Sequence, residues 1–298
     1  MSFDFDRRSF LKTGLVAAGT LAVSNLGQAA PKRNIKKSLK IGMLPGEDKD
    51  KKKLSYLERF QIAKAAGFDA VEPDTVFDEN ELKTMIDAAK QAEIHLDAII
   101  CSTHWGKPLS DPKVAEECME GMEVSMKNAK AMGGDMVLLV PGVVNENVMY
   151  KDAYNYSLGK VKELAKIAED MEITIGLENV WNKFLLSPLE MCAYIDEVNS
   201  PRVKAWFDVG NIVFYGYPQD WIRTLGNRIA RVDIKDFKWD WGTFDFSKIM
   251  EGQVNWPEVM KAFDEIGYQG IFAAEVGGGD QDFLTEFVAK PMDKIIAM

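Results

Sequence analysis

The chain has 298 residues, 47% of them hydrophobic, and carries a formal net charge of −10 with a pI near 4.9. That length and apolar content suit one α/β barrel of roughly 250 residues plus extensions. The acidic balance argues against a nucleic-acid or anionic-membrane surface and suits a neutral substrate or a metal-dependent site.

The N-terminus reads as a targeting segment. Arg7-Arg8-Ser9-Phe10-Leu11-Lys12 forms a twin-arginine pattern, and the apolar stretch Gly14 to Val23 follows it. That stretch is short for a membrane span, although an uncleaved anchor is the alternative reading. Gly27-Gln28-Ala29 places small residues ahead of a cleavage site after Ala29. Residues 1–29 are therefore expected to be a signal peptide and 30–38 a basic linker, with the folded domain spanning 39–298. The expected location is periplasmic or otherwise exported, without stable membrane insertion after processing. A route that exports folded proteins would let a metal be loaded first.

From the linker onward, short apolar runs alternate with longer stretches of 3.6-residue periodicity. The predicted strands are Leu39–Leu44, Asp69–Glu72, Ile94–Cys101, Asp135–Val140, Ile173–Glu178, Val203–Asp208, Ile229–Ile234 and Ile271–Glu275. The predicted helices between and after them are Leu54–Ala66, Glu81–Ala92, Asp111–Met132, Tyr150–Met171, Pro188–Val198, Pro218–Leu225, Trp256–Ile266 and Phe283–Ala297. Glycines at 67, 133 and 267 stand where helix-to-strand turns need them. Eight such units in one composition regime predict an α/β protein with a single (β/α)8 TIM barrel. A doubly wound open sheet would carry an early glycine-rich nucleotide loop, and the sequence has none.

Four acids stand at the ends of the last four predicted strands: Glu178, Asp208, Asp233 and Glu275. A carboxylate ending an apolar strand is costly unless something pairs it. Taken singly, each has a plainer explanation. Glu178 and Glu275 could cap helices or form surface ion pairs, Asp208 could make an Asx-type turn, and Asp233 could pair with Lys235 or Arg231. Taken together on one barrel rim they would repel, and a divalent metal is the simple remedy.

Five segments carry a resemblance: Gly-Leu-Glu-Asn (176–179), Phe-Asp-Val-Gly-Asn (207–211), Val-Asp-Ile-Lys-Asp (232–236), Gly-Gln-Val-Asn-Trp (252–256) and Ala-Glu-Val (274–276). On these the chain resembles the sugar phosphate isomerase/epimerase family with a xylose-isomerase-like TIM barrel, over about residues 39 to 298. The resemblance implies a divalent metal held by Glu, Asp, His and Glu, which Glu178, Asp208 and Glu275 match in three places. At the fourth, Asp233 stands where such proteins usually carry His, and Arg231 replaces another frequent histidine. An all-oxygen ligand set favours Mn²⁺ or Mg²⁺ over Zn²⁺. Four carboxylates around a 2+ ion leave about two excess negative charges, so Arg231, Lys235 or a cationic substrate group must offset them, or one acid stays protonated.

The chemistry the resemblance implies is proton movement next to a sugar carbonyl, through an enediolate-like state that the metal favours. Glu178 and Glu275 would be the catalytic acid and base, also binding metal, and Asp208 and Asp233 ligands only. Glu72, His104 and Lys235 are substrate-binding candidates on the same rim, and His95, at the opposite end of a strand, reads as structural. Trp105, Trp181, Trp239 and Trp241 fall after strands three, five and seven, where sugar faces stack. The loop Phe237–Asn255 is a candidate lid, and Gly277-Gly278-Gly279 a phosphate nest, disfavoured in an exported protein.

Cys101, Cys118 and Cys192 have no metal-binding spacing and read as core thiols. The expected partner is a small-molecule sugar or glycoside, with no nucleic acid, and homo-oligomerisation is left open. The rival functions are a lyase or hydrolase of 3-keto-glycosides using the same proton abstraction, and a carbohydrate-binding barrel without catalysis. An endonuclease-IV-like DNA repair role would need several histidines and a basic groove, and the chain has two histidines and an acidic pI.

Overall fold

The computed structural model describes residues 33–240 and 243–298; the twin-arginine segment, the first residues of the basic linker and Trp241 lie outside the described residues. The barrel strands are β1 (Ile35–Lys40), β2 (Ala70–Glu72), β3 (His95–Leu96), β4 (Ala98–Ile100), β5 (Met136–Leu139), β6 (Thr174–Glu178), β7 (Val203–Asp208) and β8 (Ile229–Ile234). Between β8 and the last barrel strand, β11 (Gly270–Ala274), comes a two-stranded antiparallel hairpin, β9 (Asp236–Asp240) and β10 (Thr243–Ser247).

The barrel strands pair in the order β3-β2-β1-β11-β8-β7-β6-β5-β4, every pair parallel. β3 and β4 are one passage of chain interrupted at Asp97, so the two ends of that order adjoin and the sheet nearly closes on itself as a TIM barrel. Helices lie between successive passages. Their starts follow local chemistry: Ser55 and Ser187 each form a capping box, and Pro188 follows the second of these. Gly67, Gly133 and Gly267 take φ values of 95°, 82° and 68°, the left-handed turns expected of them.

Strand alternation separates two apolar regions. Leu39, Val71, Ile99, Val137, Ile175, Phe207, Val232 and Phe272 belong to the large core cluster, with side chains from the surrounding helices. A small cluster of Ala98, Met136, Leu138, Val140 and Trp206 is separate from it. Ser38, Lys40, Glu72, Arg231 and Asp233 are also buried, so the barrel carries polar as well as apolar side chains out of solvent. Cys101, Cys118 and Cys192 are free, the first two fully buried.

Two sequence expectations change. The first strand runs Ile35–Lys40 rather than Leu39–Leu44, and Ile41–Met43 is a 3-10 turn. The residues expected to be basic linker up to position 38 therefore include most of β1. By strand alternation Lys36, Ser38 and Lys40 share one face, exposed at Lys36 and buried at Ser38 and Lys40, while Lys37 on the other face reaches Asp293 at 2.6 Å. The loop after β8 contains the β9–β10 hairpin. Asp236, fully buried, anchors it by accepting the N–H groups of Phe237 (2.9 Å), Met250 (3.0 Å) and Val254 (3.2 Å) and the Trp256 indole N–H (3.1 Å). No helix among the described residues is long and apolar enough to cross a membrane.

Candidate metal centre

Strand register assembles the site. Glu178 and Asp208 are the last residues of β6 and β7, Asp233 the penultimate residue of β8, and Glu275 follows β11. Asp208 is the register partner of Asp233, which is in turn opposite Ala273, and the Glu275 N–H donates to the Ile234 carbonyl at 3.2 Å. The result is a cluster in which one oxygen from each of Glu178, Asp208, Asp233 and Glu275 lies within 4.8 Å of the others. Three of the acids are buried and Glu275 is partly open, its side chain 36% exposed.

Two asparagines lock the β6 and β7 ends together. Asn179 donates to the Asp208 carbonyl at 2.8 Å and accepts the Asp208 N–H at 2.9 Å, while Asn211 donates to the Asn179 carbonyl at 3.0 Å. The Asn211 N–H reaches Asp208 Oδ1 at 2.7 Å. Gly210 is required beside them, because a Cβ there would stand 2.8 Å from the Lys235 carbonyl oxygen. The asparagines of Gly-Leu-Glu-Asn and Asp-Val-Gly-Asn were the available signal for this lock, which the sequence reading did not assign.

Three cations enter the site. Lys40, fully inside the barrel, places Nζ 2.6 Å from Glu72 Oε2 and 2.8 Å from Asp233 Oδ1. Arg231 reaches Asp97 at 2.5 Å and Glu72 Oε1 at 3.2 Å. Lys235 Nζ lies 3.0 Å from Asp208 Oδ2 and 3.1 Å from Glu275 Oε2. The Trp206 ring lies below, with Lys40 Nζ 4.5 Å and the Arg231 guanidinium 5.1 Å from its centroid.

These contacts give the ion-pair partner of Asp233 and the depth of Glu72. Asp233 pairs with Lys40, not with Lys235 or Arg231, because Arg231 is drawn to Asp97 and Glu72. Glu72, a substrate-binding candidate in the sequence, is fully buried and its carboxylate is held between Lys40 and Arg231. Lys40 carried no signal, since it ends a run of lysines that read as linker.

The electrostatics separate the acids. Burial pushes Glu178 well above the usual carboxylate range, and the neighbouring Glu275, Asp233 and Asp208 add to that. Burial likewise raises Asp233, against the pull of Lys40. Asp208 is pushed up to about 6 by burial, opposed by Lys235. For Glu275 burial acts upward too, but Lys235 and Lys40 outweigh it and hold the group below its ordinary value. Both lysines are raised: burial works against their charge, and the acids more than offset it.

The donor set fits a hard divalent ion. All four groups are carboxylates, their oxygens are close enough to share one ion, and buried Asp233 Oδ2 has no hydrogen-bond partner among the described residues.

The remaining candidates lie around the cluster. His104 is buried, with Nδ1 accepting the Val140 N–H at 3.4 Å and Nε2 without a hydrogen bond among the described residues. Trp105 packs edge-on against it with ring centroids 4.4 Å apart. Trp181 donates its indole N–H to the Asn211 carbonyl at 2.8 Å and stacks on Phe246 at 5.1 Å, and Trp239 is half-exposed on β9. His95 is exposed at the start of β3, where it lines a separate cavity of about 350 Å³ with Lys36, Asp69 and Asp97. The glycine run after β11 does not form a free nest: the Gly279 N–H donates to the Met43 carbonyl at 3.2 Å, and a Cβ on Gly278 would collide with that same oxygen.

Residues 60–290 match the family model described as xylose isomerase-like TIM barrel. The chain is 25% identical over 169 residues to an uncharacterized Methanocaldococcus jannaschii protein, MJ1311, a match covering 55% of this chain and only 57% of that protein's length. It is 23% identical over 257 residues to L-ribulose-5-phosphate 3-epimerase UlaE of Escherichia coli K12, covering 81% of this chain and 89% of that one. Among solved structures it is similar to a D-tagatose 3-epimerase-like protein (TM-score 0.71, 19% identity, 88% of this chain and 98% of that one). A Mycobacterium smegmatis xylose isomerase-like TIM barrel protein in complex with magnesium gives TM-score 0.69 at 16% identity, covering 91% and 99%.

Proposed function

The chain belongs to the xylose isomerase-like TIM barrel family, and on that premise we propose that it is a divalent-metal-dependent isomerase of the sugar epimerase type. It moves a proton at the carbon beside a sugar carbonyl. The observation that carries this reading is the convergence of four carboxylates, Glu178, Asp208, Asp233 and Glu275, with one oxygen of each within 4.8 Å of the others. Glu178 and Glu275 serve as the acid and base of the proton transfer, one removing a proton from carbon and the other returning one. A divalent ion held by Glu178, Asp208, Asp233 and Glu275 would supply electrophilic polarisation of the carbonyl and its neighbouring hydroxyl. The names of two relatives, an L-ribulose-5-phosphate 3-epimerase and a D-tagatose 3-epimerase-like protein, support the reaction class. The magnesium complex supports the cofactor class, and the all-oxygen donor set favours Mn²⁺ or Mg²⁺ over Zn²⁺.

The substrate is an unphosphorylated sugar. In barrels of this kind phosphate commonly sits on the loops after strands seven and eight and on a helix N-terminus. Here Gly279 is engaged by Met43, and the helix that follows is capped by Asp280, whose Oδ1 accepts the Phe283 N–H at 2.9 Å. An aspartate at that position repels a phosphate. Lys235, His104, Trp105, Trp181 and Trp239 line the rim as substrate contacts, and the twin-arginine pattern at Arg7–Lys12 supports export.

A second reading has one observation in its favour. Trp181, Phe214 and Phe246 form an aromatic surface beside Lys235, each more than two-fifths exposed at 41%, 48% and 43%. That surface suits a second ring, as in a keto-glycoside, and the same proton abstraction would then expel the aglycone. Incubation of the Mn²⁺-loaded protein with ketoses and keto-glycosides in D₂O, followed by NMR, separates the two. Deuterium entering a ketose carbon without fragmentation supports the epimerase; release of the aglycone supports the lyase. Absence of exchange from every sugar rejects both.

A further inference from the structure

Lys235 holds two of the four carboxylates that the metal reading assigns to an ion. Its Nζ lies 3.0 Å from Asp208 Oδ2 and 3.1 Å from Glu275 Oε2, and both acids belong to the four-carboxylate cluster. The other oxygen of Asp208, Oδ1, is already engaged by the Asn211 N–H at 2.7 Å. A divalent ion binds carboxylate oxygens at about 2.0–2.6 Å. An ammonium held on the same two oxygens would stand at short range from that ion, with both positive charges out of bulk water, where Coulomb repulsion is weakly screened.

The surroundings allow the side chain, but not its backbone, to give way. The backbone at Lys235 is packed against Gly210, closely enough that any Cβ there would strike it. The ammonium, by contrast, already lies 4.7 Å from the Phe246 ring centroid and 3.5 Å from Asn211 Oδ1. An aromatic face can hold a cation withdrawn from the carboxylates. Phe246 stacks on Trp181 at the open side of the cluster, so withdrawal in that direction carries the ammonium toward the substrate surface.

We propose that Lys235 is a built-in competitor of the divalent ion: it neutralises Asp208 and Glu275 in the metal-free protein and, displaced by the ion, swings toward Phe246 to meet a substrate oxygen. The inference rests on the metal reading above and adds an order to it, since the lysine reaches the substrate only after the ion is in place.

The test is a Mn²⁺ titration of the metal-stripped full chain, read by loss of the free-ion resonance signal, in wild type and in Lys235→Met. The variant is expected to bind Mn²⁺ roughly tenfold tighter, a usual size for coupling between two ligands of one protein. A second readout uses the wild type alone: acylation of Lys235, followed by peptide mass spectrometry, rises when Mn²⁺ is added, while Lys40 stays unlabelled. Mn²⁺ binding that is unchanged or weaker in Lys235→Met, with Lys235 labelling indifferent to Mn²⁺, overturns the competition while the metal reading stands. Absence of Mn²⁺ binding in both proteins overturns the two together, and binding by the variant alone supports the competition in its strongest form. If Lys235→Met does not fold, the labelling of the wild type decides.

Discussion

The Lys40 ammonium lies 2.8 Å from Asp233 Oδ1, joining β1 to β8 across 193 residues of sequence and leaving Asp233 Oδ2 to face the acid cluster unpaired among the described residues. Lys40 also holds Glu72 at 2.6 Å, so its removal leaves two buried acids short of a partner. Lys40→Met is expected to lower stability by about 3–5 kcal/mol, the range for stranding a buried charge. Urea unfolding measures this. Adding Asp233→Asn to Lys40→Met should recover part of the loss; a double variant as unstable as the sum of the two singles would show that the pair is not coupled.

Asp233 contributes the position where the resemblance leads one to expect histidine. Asp233→Ala should lose bound divalent metal, read by elemental mass spectrometry on protein purified without chelator. Asp233→His should shift preference toward Zn²⁺ relative to Mn²⁺, because an imidazole suits the softer ion. Retention of full metal content in Asp233→Ala would remove this residue from the ligand set.

Glu178→Gln and Glu275→Gln each keep shape while removing the proton-transferring group. Each should slow solvent hydrogen exchange into substrate by about 10²–10⁴-fold. An exchange rate in Glu275→Gln equal to wild type would sink the acid–base assignment.

The contribution of Asp208 to the stability of the metal-free protein should fall as pH rises from about 4 to about 6. Asp208 has its folded-state value pushed up to about 6, by burial against the opposing pull of Lys235. The folded state therefore holds this proton more tightly than the unfolded chain does. That contribution is fully present below the unfolded value near 3.8 and is lost as the group ionises on the way up. Thermal unfolding across this range in wild type and Asp208→Asn isolates the effect: the downward slope should be shallower in the variant.

Asp236 gathers four N–H donors from the hairpin, the loop that follows it and Trp256 at the start of the next helix. Asp236→Ala strands all four and should speed hydrogen exchange at Phe237, Met250 and Val254 while leaving the β6 and β7 amides protected. Unchanged protection at those three amides would mean that other contacts hold the hairpin.

Much of the barrel was legible because its signals are local. Tyr150–Met171, Pro188–Val198, Val203–Asp208, Pro218–Leu225 and Ile229–Ile234 match the bounds read from periodicity, caps and prolines. The four acids were legible for the same reason, since each ends or closely follows an apolar run, and parallel strands bring such ends to one rim. β1 was misread because Lys36, Lys37 and Lys40 look like solvent-exposed charge; only the sheet shows which of them turn inward. The burial of Glu72 was not legible, because strand position reveals the end of the barrel but not the depth of a side chain.

The sequence by itself determined the alternation of strands and helices, the glycine turns and the presence of acids near the ends of the last strands. Those are properties of neighbouring residues, written in spacing and chemical type. Tertiary structure alone decided the pairing of the charges: Lys40 with Asp233 and Glu72, Arg231 with Asp97, Lys235 with Asp208 and Glu275. The reason is physical. A buried charge takes whichever opposite charge the strand register sets within about 3 Å, and Coulomb attraction in a poorly solvated interior depends on that distance rather than on separation along the chain.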